Sequence, residues 1–222
     1  MSLILCIETA TKCCSVALAK EGQLFAFKED VPEVYFHSES LNIFIQDLLN
    51  DHQLCVHDLD AIAISSGPGS YTGLRIGCST AKGLCYALNL PLISIPSLES
   101  MAQLKRSHNS DKILCPMIDA RRMEVYYSLF YKKFQTDVQA KVIDENSFEE
   151  ELKNNSILFY GDGADKCQSF LTHPNAYFDL GFYASARGMV ALSQEKYDLH
   201  MFEDIAYFTP FYLKEFTASV KS

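Results

Sequence analysis

The chain has 222 residues, of which 48% are hydrophobic and 21% are charged, a composition typical of a globular protein. Its formal net charge of −9 argues against independent binding of tRNA or DNA, because such proteins usually carry a basic face. No apolar run is long enough to span a membrane, and the first residues lack the basic start of an export signal. We expect a cytoplasmic protein of one large or two small domains, without membrane contact.

The cysteines and histidines do not form a recognisable reactive site. The eight cysteines contain no C-x-x-C pair and are expected to be reduced core residues. The six histidines contain no H-E-x-x-H or H-x-x-x-H pair, so we predict neither a metal site nor a cofactor. Cys55 and His57 could form a dyad, although a buried thiol near a surface histidine is the commoner arrangement. No catalytic residue is predicted.

The chain begins with three apolar segments joined by short polar turns, at residues 3–7, 14–19 and 24–27. This spacing predicts an antiparallel meander of three strands. The apolar positions in residues 38–50 then follow one helical face, with Ser38 as the N-cap. A buried strand is predicted for residues 59–65.

A glycine-rich stretch follows that strand, with the sequence Gly-Pro-Gly-Ser-Tyr-Thr-Gly-Leu-Arg-Ile-Gly at residues 67–77. Ser70 or Thr72 is expected to cap a helix that ends at Leu88. The free N–H groups of such a turn can bind phosphate, but the spacing fits neither a P-loop nor a dinucleotide-binding fingerprint. A phosphate cradle therefore competes with a tight turn whose small residues let another element pack closely on the helix.

The polar segment 105–112 is the predicted boundary between a first domain at 1–105 and a second at 106–222. Before it we predict a strand at 92–95 and a helix from Pro96 through Leu104. The second half repeats the opening of the first: an apolar strand at 113–118, an acidic residue with a polar turn, and a strand at 124–131. The remaining predictions are strands at 138–142 and 157–160, helices at 148–152 and 185–194, and an extended segment at 208–213.

Glu8 and Asp119 end the first strand of each half. Carboxylates at strand ends that face a cleft can hold a water-bridged Mg²⁺ ion. They can equally accept hydrogen bonds from the turn that follows. Both alternatives stay open from the sequence.

Several segments together resemble the TsaB (YeaZ) family, the dimerisation subunits of the bacterial tRNA threonylcarbamoyladenosine machinery. The glycine-rich string at 67–77 is the hallmark of that family, and the resemblance extends over roughly the first 130 residues. It includes residues 4–9, 37–39, 59–64, 81–84 and 118–126. After Glu145 the resemblance is limited to Gly161-Asp162-Gly163 and Pro210-x-Tyr212-Leu213.

The resemblance implies an α/β protein with an actin-like ATPase (ribonuclease H-like) fold, made of two related α/β domains with mixed central sheets. It also implies that the chain is not the enzyme. The related TsaD subunit transfers threonylcarbamoyl to the tRNA adenosine next to the anticodon, using a metal held by an H-x-x-x-H pair that is absent here.

The same resemblance implies protein partners. The chain would bind TsaD, and through it the ATPase TsaE, or a second copy of itself when TsaD is absent; tRNA would be bound only indirectly. The predicted interface lies on two helices and comprises His37, Ser38, Leu41, Ile45, Leu48, Gly73, Gly77 and Ala81.

A vestigial nucleotide cleft is expected at Glu8, Thr9, Asp119, Gly161 and Gly163. Two residues depart from the family pattern and weaken nucleotide binding there: Glu8 stands where Asp is usual, and Met123 where Gly is usual. The alternative function is a small nucleotide-dependent phosphotransferase or ATPase that uses Glu8, Asp119 and the glycine-rich turns.

Overall fold

Two mixed sheets form the centre of the protein in the computed structural model, which describes residues 2–31, 37–107, 109 and 111–213. The first sheet has the order β3-β2-β1-β4-β5, with antiparallel pairs among β1 to β3 and parallel pairs from β1 to β4 and from β4 to β5. Its strands are β1 (Leu3–Glu8), β2 (Cys14–Lys20), β3 (Gln23–Asp30), β4 (Ala61–Ser65) and β5 (Leu92–Ile95). The predicted meander is confirmed.

Three helices belong to the first half of the chain: α1 (His37–Asp51), α2 (Tyr71–Leu88) and α3 (Ser97–Arg106). The hydroxyl of Ser70 accepts a hydrogen bond from the N–H of Gly73, which confirms Ser70 as the N-cap of α2. The prediction of Ser38 as the N-cap of α1 is wrong, because the helix already includes His37.

The second sheet repeats the order of the first as β10-β7-β6-β11-β12, and two short strands, β8 and β9, extend it. Again two pairs are antiparallel and two are parallel. The elements of this half are β6 (Ile113–Asp119), β7 (Glu124–Tyr127), β8 (Phe130–Tyr131), β9 (Phe134–Gln135), β10 (Gln139–Val142), α4 (Glu149–Asn154), β11 (Ile157–Tyr160), β12 (Ala176–Asp179) and α5 (Val190–Asp198).

Several elements of this half differ from the predictions. The helix predicted at 185–194 is a 3₁₀ helix at Ala186–Met189 followed by α5, which extends to Asp198, and β9 was not predicted. The single strand predicted at 124–131 is divided into β7 and β8, because Ser128 and Leu129 leave the ladder and bond to Thr136 instead. β12 was not predicted, since it is short and follows Pro174 and Asn175. Short 3₁₀ helices lie at Val56–Asp58, Asp165–Cys167 and Ala186–Met189.

Each sheet is covered on both faces, and the covering elements cross between the halves. α1 and α2 pack on one face of the first sheet, while α5 and the 3₁₀ helix before it pack on the other. α3 packs on the second sheet through Leu98, Met101 and Ala102. The domain division at residues 105 and 106 stays a prediction, and residues 108 and 110 of the predicted boundary segment lie outside the described residues.

A strap at residues 203–213 returns from α5 along the first half of the chain. The N–H of Glu203 donates to the carbonyl of Leu92 on β5 at 2.8 Å. The N–H of Phe211 donates to the carbonyl of Ser66 at 2.7 Å. The Tyr212 ring ends the strap against Tyr71 on α2, with the ring centroids 4.9 Å apart. The predicted extended segment at 208–213 therefore borders the glycine-rich turn.

Candidate functional site

A cleft of about 700 Å³ separates the two halves where the strand ends of both sheets meet. Lys12 and Ser70 line it from the first half, and Asp119, Arg121 and Asp162 line it from the second. This is the position of the predicted nucleotide cleft. The two sides of the cleft differ in what they expose to it.

Glu8, at the end of β1, is fully buried. One oxygen of its carboxyl accepts a hydrogen bond from the N–H of Ala10 at 2.7 Å, and the other has no hydrogen-bond partner among the described residues. Burial raises the pKa of Glu8 to about 7, although the Ala10 N–H opposes the change. Thr9 is fully buried as well, so the turn after β1 presents neither predicted side chain to the cleft.

Gly69, just before α2, and two glycines within α2 account for the burial of this turn. A Cβ at Gly69 would lie 2.5 Å from the carbonyl oxygen of Ala10, and a Cβ at Gly73 or Gly77 would overlap Thr9. The N–H of Ser70 also donates to the Ala10 carbonyl at 2.7 Å. No methyl group fits between the helix and the turn at these points. The small residues of α2 serve close packing inside the chain.

The second-half side of the cleft is open and polar. Asp119 is exposed; its carboxylate accepts from the N–H of Arg121 at 2.8 Å and from the ammonium of Lys166. Lys166 also donates to the carbonyls of Arg122 and Glu124, each at 2.7 Å, and so holds the β6–β7 turn. Sequence reasoning missed Lys166, which lies in no motif.

Asp162 completes this side by accepting from the N–H of Asp119 at 3.1 Å. Burial raises the pKa of Asp162 to about 6, and the nearby Asp119 carboxylate adds to the effect. Gly161, at a φ of 106°, and Gly163 let their turn pack directly on the β6 backbone at Met117 and Ile118. Both glycines therefore have a packing role in the predicted cleft.

A second concave surface lies between α1 and α2 on the outside of the first half. It is a groove of about 460 Å³, with Ser38 and Asn42 on one wall and Arg75 and Ser79 on the other. A further hollow of about 380 Å³ continues it towards Cys55. Ile43 on α1 is 55% exposed and Tyr86 on α2 is 85% exposed. Both residues lie outside the apolar stripes of their helices, and that position could have identified them as exposed from the sequence.

The residues predicted for the partner interface lie mostly beneath this surface. Ser38 is exposed, whereas the others are buried in the chain's own core: His37, Leu41, Ile45, Leu48, Gly73, Gly77 and Ala81. His37 bonds to the carbonyl of Thr11 at 2.8 Å, and with Leu41 it forms part of the groove floor. Their interface role stays a prediction; the side chains that a partner could reach are their exposed neighbours.

The described residues also bear on metal binding, membrane crossing and thiol chemistry. No group of three or more His, Cys, Asp or Glu side chains is placed there to hold a metal ion. No helix in the described part of the chain is both long and apolar enough to cross a membrane. Seven of the eight cysteines are buried, as predicted for core residues, but the prediction is wrong for Cys55, which is exposed.

Comparison with known proteins gives both a family and a fold. The model of the TsaD family, described as tRNA N6-adenosine threonylcarbamoyltransferase, matches residues 31–219. The tRNA threonylcarbamoyladenosine biosynthesis protein TsaB of Escherichia coli K12 is 38% identical over 129 residues, which cover 58% of this chain and 55% of that protein. The chain spans about half the length of the curated relatives it matches.

Solved structures extend the likeness to nearly the whole chain. A Pseudomonas aeruginosa protein described as similar to the peptidase YeaZ has a TM-score of 0.83 and 25% identity, over 96% of this chain and 100% of that one. The activator of 2-hydroxyisocaproyl-CoA dehydratase from Clostridium difficile, with bound ADPNP, has a TM-score of 0.54 and 6% identity, over 90% and 97%. The latter likeness shows the fold alone. The predicted actin-like fold and the resemblance to TsaB are both confirmed.

Proposed function

The chain belongs to the TsaD family, and we propose that it is a non-catalytic member that binds a TsaD-type transferase and supports threonylcarbamoylation of the tRNA adenosine next to the anticodon. Its similarity to a protein named for the biosynthesis of that nucleoside supports the role. The lack of an H-x-x-x-H pair supports assigning the transfer step to the partner. The ATPase TsaE joins the complex by binding to the pair that this chain forms with the transferase.

The observation that carries this proposal is the packing of α2 on the turn after β1. The alternative, a phosphotransferase or ATPase, would use Glu8, whereas here Glu8 is fully buried and the turn after it lies directly against Gly69, Gly73 and Gly77. The alternative function is therefore not proposed. A fold shared with nucleotide-binding proteins does not by itself carry their activity.

The outer surface of α1 and α2 is the proposed docking site for the transferase. Arg75, Ser79 and Tyr86 share one face of α2, and Arg75 and Ser79 line a groove that a partner helix could enter. Tyrosine and arginine are the residue types that contribute most to protein interfaces. In the absence of the transferase, a second copy of the chain would occupy the same surface and give a homodimer.

Reconstitution tests the function. The cognate transferase, the ATPase and the synthase of the threonylcarbamoyl adenylate are incubated with tRNA, with and without this chain. Modified adenosine is expected only when the chain is added, and the chain alone is expected to modify nothing. Full modification without the chain would contradict the proposal. Titration with Mg-ATP by calorimetry checks the alternative, which requires saturable binding that is lost in Asp119→Ala.

Two surface variants test the docking site without disturbing the core. Tyr86→Ala and Arg75→Glu are each expected to raise the Kd for the transferase about tenfold or more, as at other interface hot spots. Tyr177→Ala removes an exposed tyrosine from β12 in the other half and is the matched control. Equal affinity of all three variants would place the docking site elsewhere.

A further inference from the structure

The β8–β9 hairpin projects two aromatic side chains from the second half of the protein. Tyr131 and Phe134 are direct partners across this antiparallel pair, so their side chains lie on the same face. Tyr131 is 38% exposed and Phe134 is 64% exposed, whereas Phe130 faces the core. The hairpin therefore holds an aromatic pair in solvent, although burial would be favourable.

Lys132 and Lys133 form the turn of this hairpin. Two-residue hairpin turns favour Asn and Gly, yet Lys132 adopts a φ of 53°, which is unfavourable for a lysine. Neither lysine has an ion pair among the described residues, and the Lys132 ammonium lies 5.1 Å from the centroid of the Tyr131 ring. The turn geometry gives no reason for two lysines, so their charge is the feature to explain.

The surroundings add positive charge to the hairpin. The Arg106 guanidinium, at the end of α3, lies 5.9 Å from the centroid of the Phe130 ring. Arg106 therefore lies next to the base of the hairpin, on the Phe130 face of β8, whereas the neighbouring Tyr131 points to the opposite face. Lys105 is neutralised by Asp179, whereas Arg106 is exposed and forms no ion pair with a described residue. Against the net charge of −9, this hairpin is a local basic site.

We propose that the β8–β9 hairpin binds a single-stranded segment of RNA when the chain is part of its complex. An unpaired base would stack on Tyr131 and Phe134, while Lys132 and Lys133 would contact the flanking phosphates. Aromatic platforms next to lysines are the usual means of holding single strands, whereas the cores of protein interfaces are poor in lysine. The inference rests on the proposed function, which supplies an RNA substrate. It adds a direct RNA contact to the indirect one expected from the sequence.

The test measures RNA affinity of the reconstituted complex by fluorescence anisotropy. The probes are a fluorescein-labelled RNA stem-loop and a fully paired RNA duplex of the same length. Phe134→Ala is expected to raise the Kd for the stem-loop at least about fivefold, because one stacked base contributes that much, and to leave the duplex nearly unchanged. The double variant Lys132→Gly, Lys133→Ala is expected to have a less steep salt dependence. The magnitude of the negative slope of log K against log salt should fall by about 1 or more.

Two matched variants provide the controls. Lys20→Ala and Phe25→Ala alter the β2–β3 hairpin, where Lys20 likewise lies over an exposed aromatic ring at 5.5 Å, and should bind RNA as the wild type does. Lys132→Gly also suits the left-handed backbone, so weaker binding by that variant could not be attributed to unfolding.

The failures of the two proposals are distinguishable. If the wild-type chain is required for modification but the hairpin variants bind both RNAs as the wild type does, the RNA contact alone is wrong. If the hairpin variants instead fail to assemble with the transferase, the hairpin is a protein-docking site and the inference is overturned. If modification proceeds without the chain, the proposed function itself fails.

Discussion

The two halves of the molecule begin alike and treat their strand ends differently. β1 ends at Glu8 and β6 ends at Asp119, each after an apolar strand and before a polar turn. Glu8 is fully buried, whereas Asp119 is exposed to the cleft and paired with Lys166. The same strand-end pattern thus gives a closed site in one half and an open one in the other.

The difference depends on what packs over each turn. Three glycines place α2 directly on Thr9 and Ala10, so helix and turn form one unit. In the second half a lysine side chain holds the corresponding turn from one side and leaves the cleft open. Equivalent positions in a repeated topology can therefore differ in function because of residues from other elements.

The largest expected effect comes from breaking the closed end. Gly73→Ala would bring a methyl group into the carbonyl oxygen of Thr9, and we expect it to lower the free energy of unfolding by about 3 kcal/mol or more. Gly83→Ala on the same helix is the control: its methyl group meets nothing within 4 Å, and it should gain about 0.5 to 1 kcal/mol. Urea denaturation measures both. Equal stability of the two variants would mean that α2 does not pack on the turn.

The next effect concerns the buried carboxyl group. The folded chain holds the pKa of Glu8 near 7, above the value of 4.5 in the unfolded chain. The folded state therefore binds more protons between these values, and stability falls as the pH rises through this window. Glu8→Gln should remove this dependence, which amounts to roughly 2 to 3 kcal/mol.

Denaturation at several pH values across this window checks the prediction. Asp162→Asn is the comparison at the open end. The raised pKa of Asp162, about 6, also makes the free energy of unfolding fall as the pH rises, but this fall ends at a lower pH than the one due to Glu8. A stability profile of Glu8→Gln identical to that of the wild type would show that Glu8 titrates normally.

A smaller effect is expected from Lys166→Met at the open end. This change removes the donor shared by Asp119 and the carbonyls of Arg122 and Glu124, and should cost about 1 kcal/mol because the site is partly solvated. Lys153→Met, which breaks only exposed pairs on α4, should leave the thermal midpoint unchanged. Coincident midpoints for both variants would mean that Lys166 does not hold the turn.

The smallest effect concerns the N-cap of α2. Ser70→Ala removes the acceptor for the N–H of Gly73 and should cost about 0.5 to 1 kcal/mol, since the hydrogen bond is long at 3.3 Å. Ser79→Ala, at an exposed position within the same helix, should be neutral or slightly stabilising. Thermal denaturation separates the two, and a larger loss at Ser79 would contradict the assignment of the cap.

Local patterns in the sequence predicted most elements of the fold. Apolar segments and the short turns between them placed the opening meander, and the Ser70 cap with the apolar stripe placed α2. The glycines correctly indicated the close approach of another element to α2. The sequence could not identify that element, because the contact between α2 and the turn at Thr9 joins positions far apart in the chain. For the same reason Lys166 and the return of α5 to the first sheet went unrecognised.

The return of α5 has a consequence for synthesis on the ribosome. One face of the first sheet, which includes Ile4, Cys6, Ala63 and Ile93, is covered by Met189 and Val190 from near the end of the chain. During translation the amino-terminal strands emerge long before these covering residues do. The first sheet cannot complete this core before residues 186–190 have left the ribosome, so the nascent chain exposes an apolar face until they emerge.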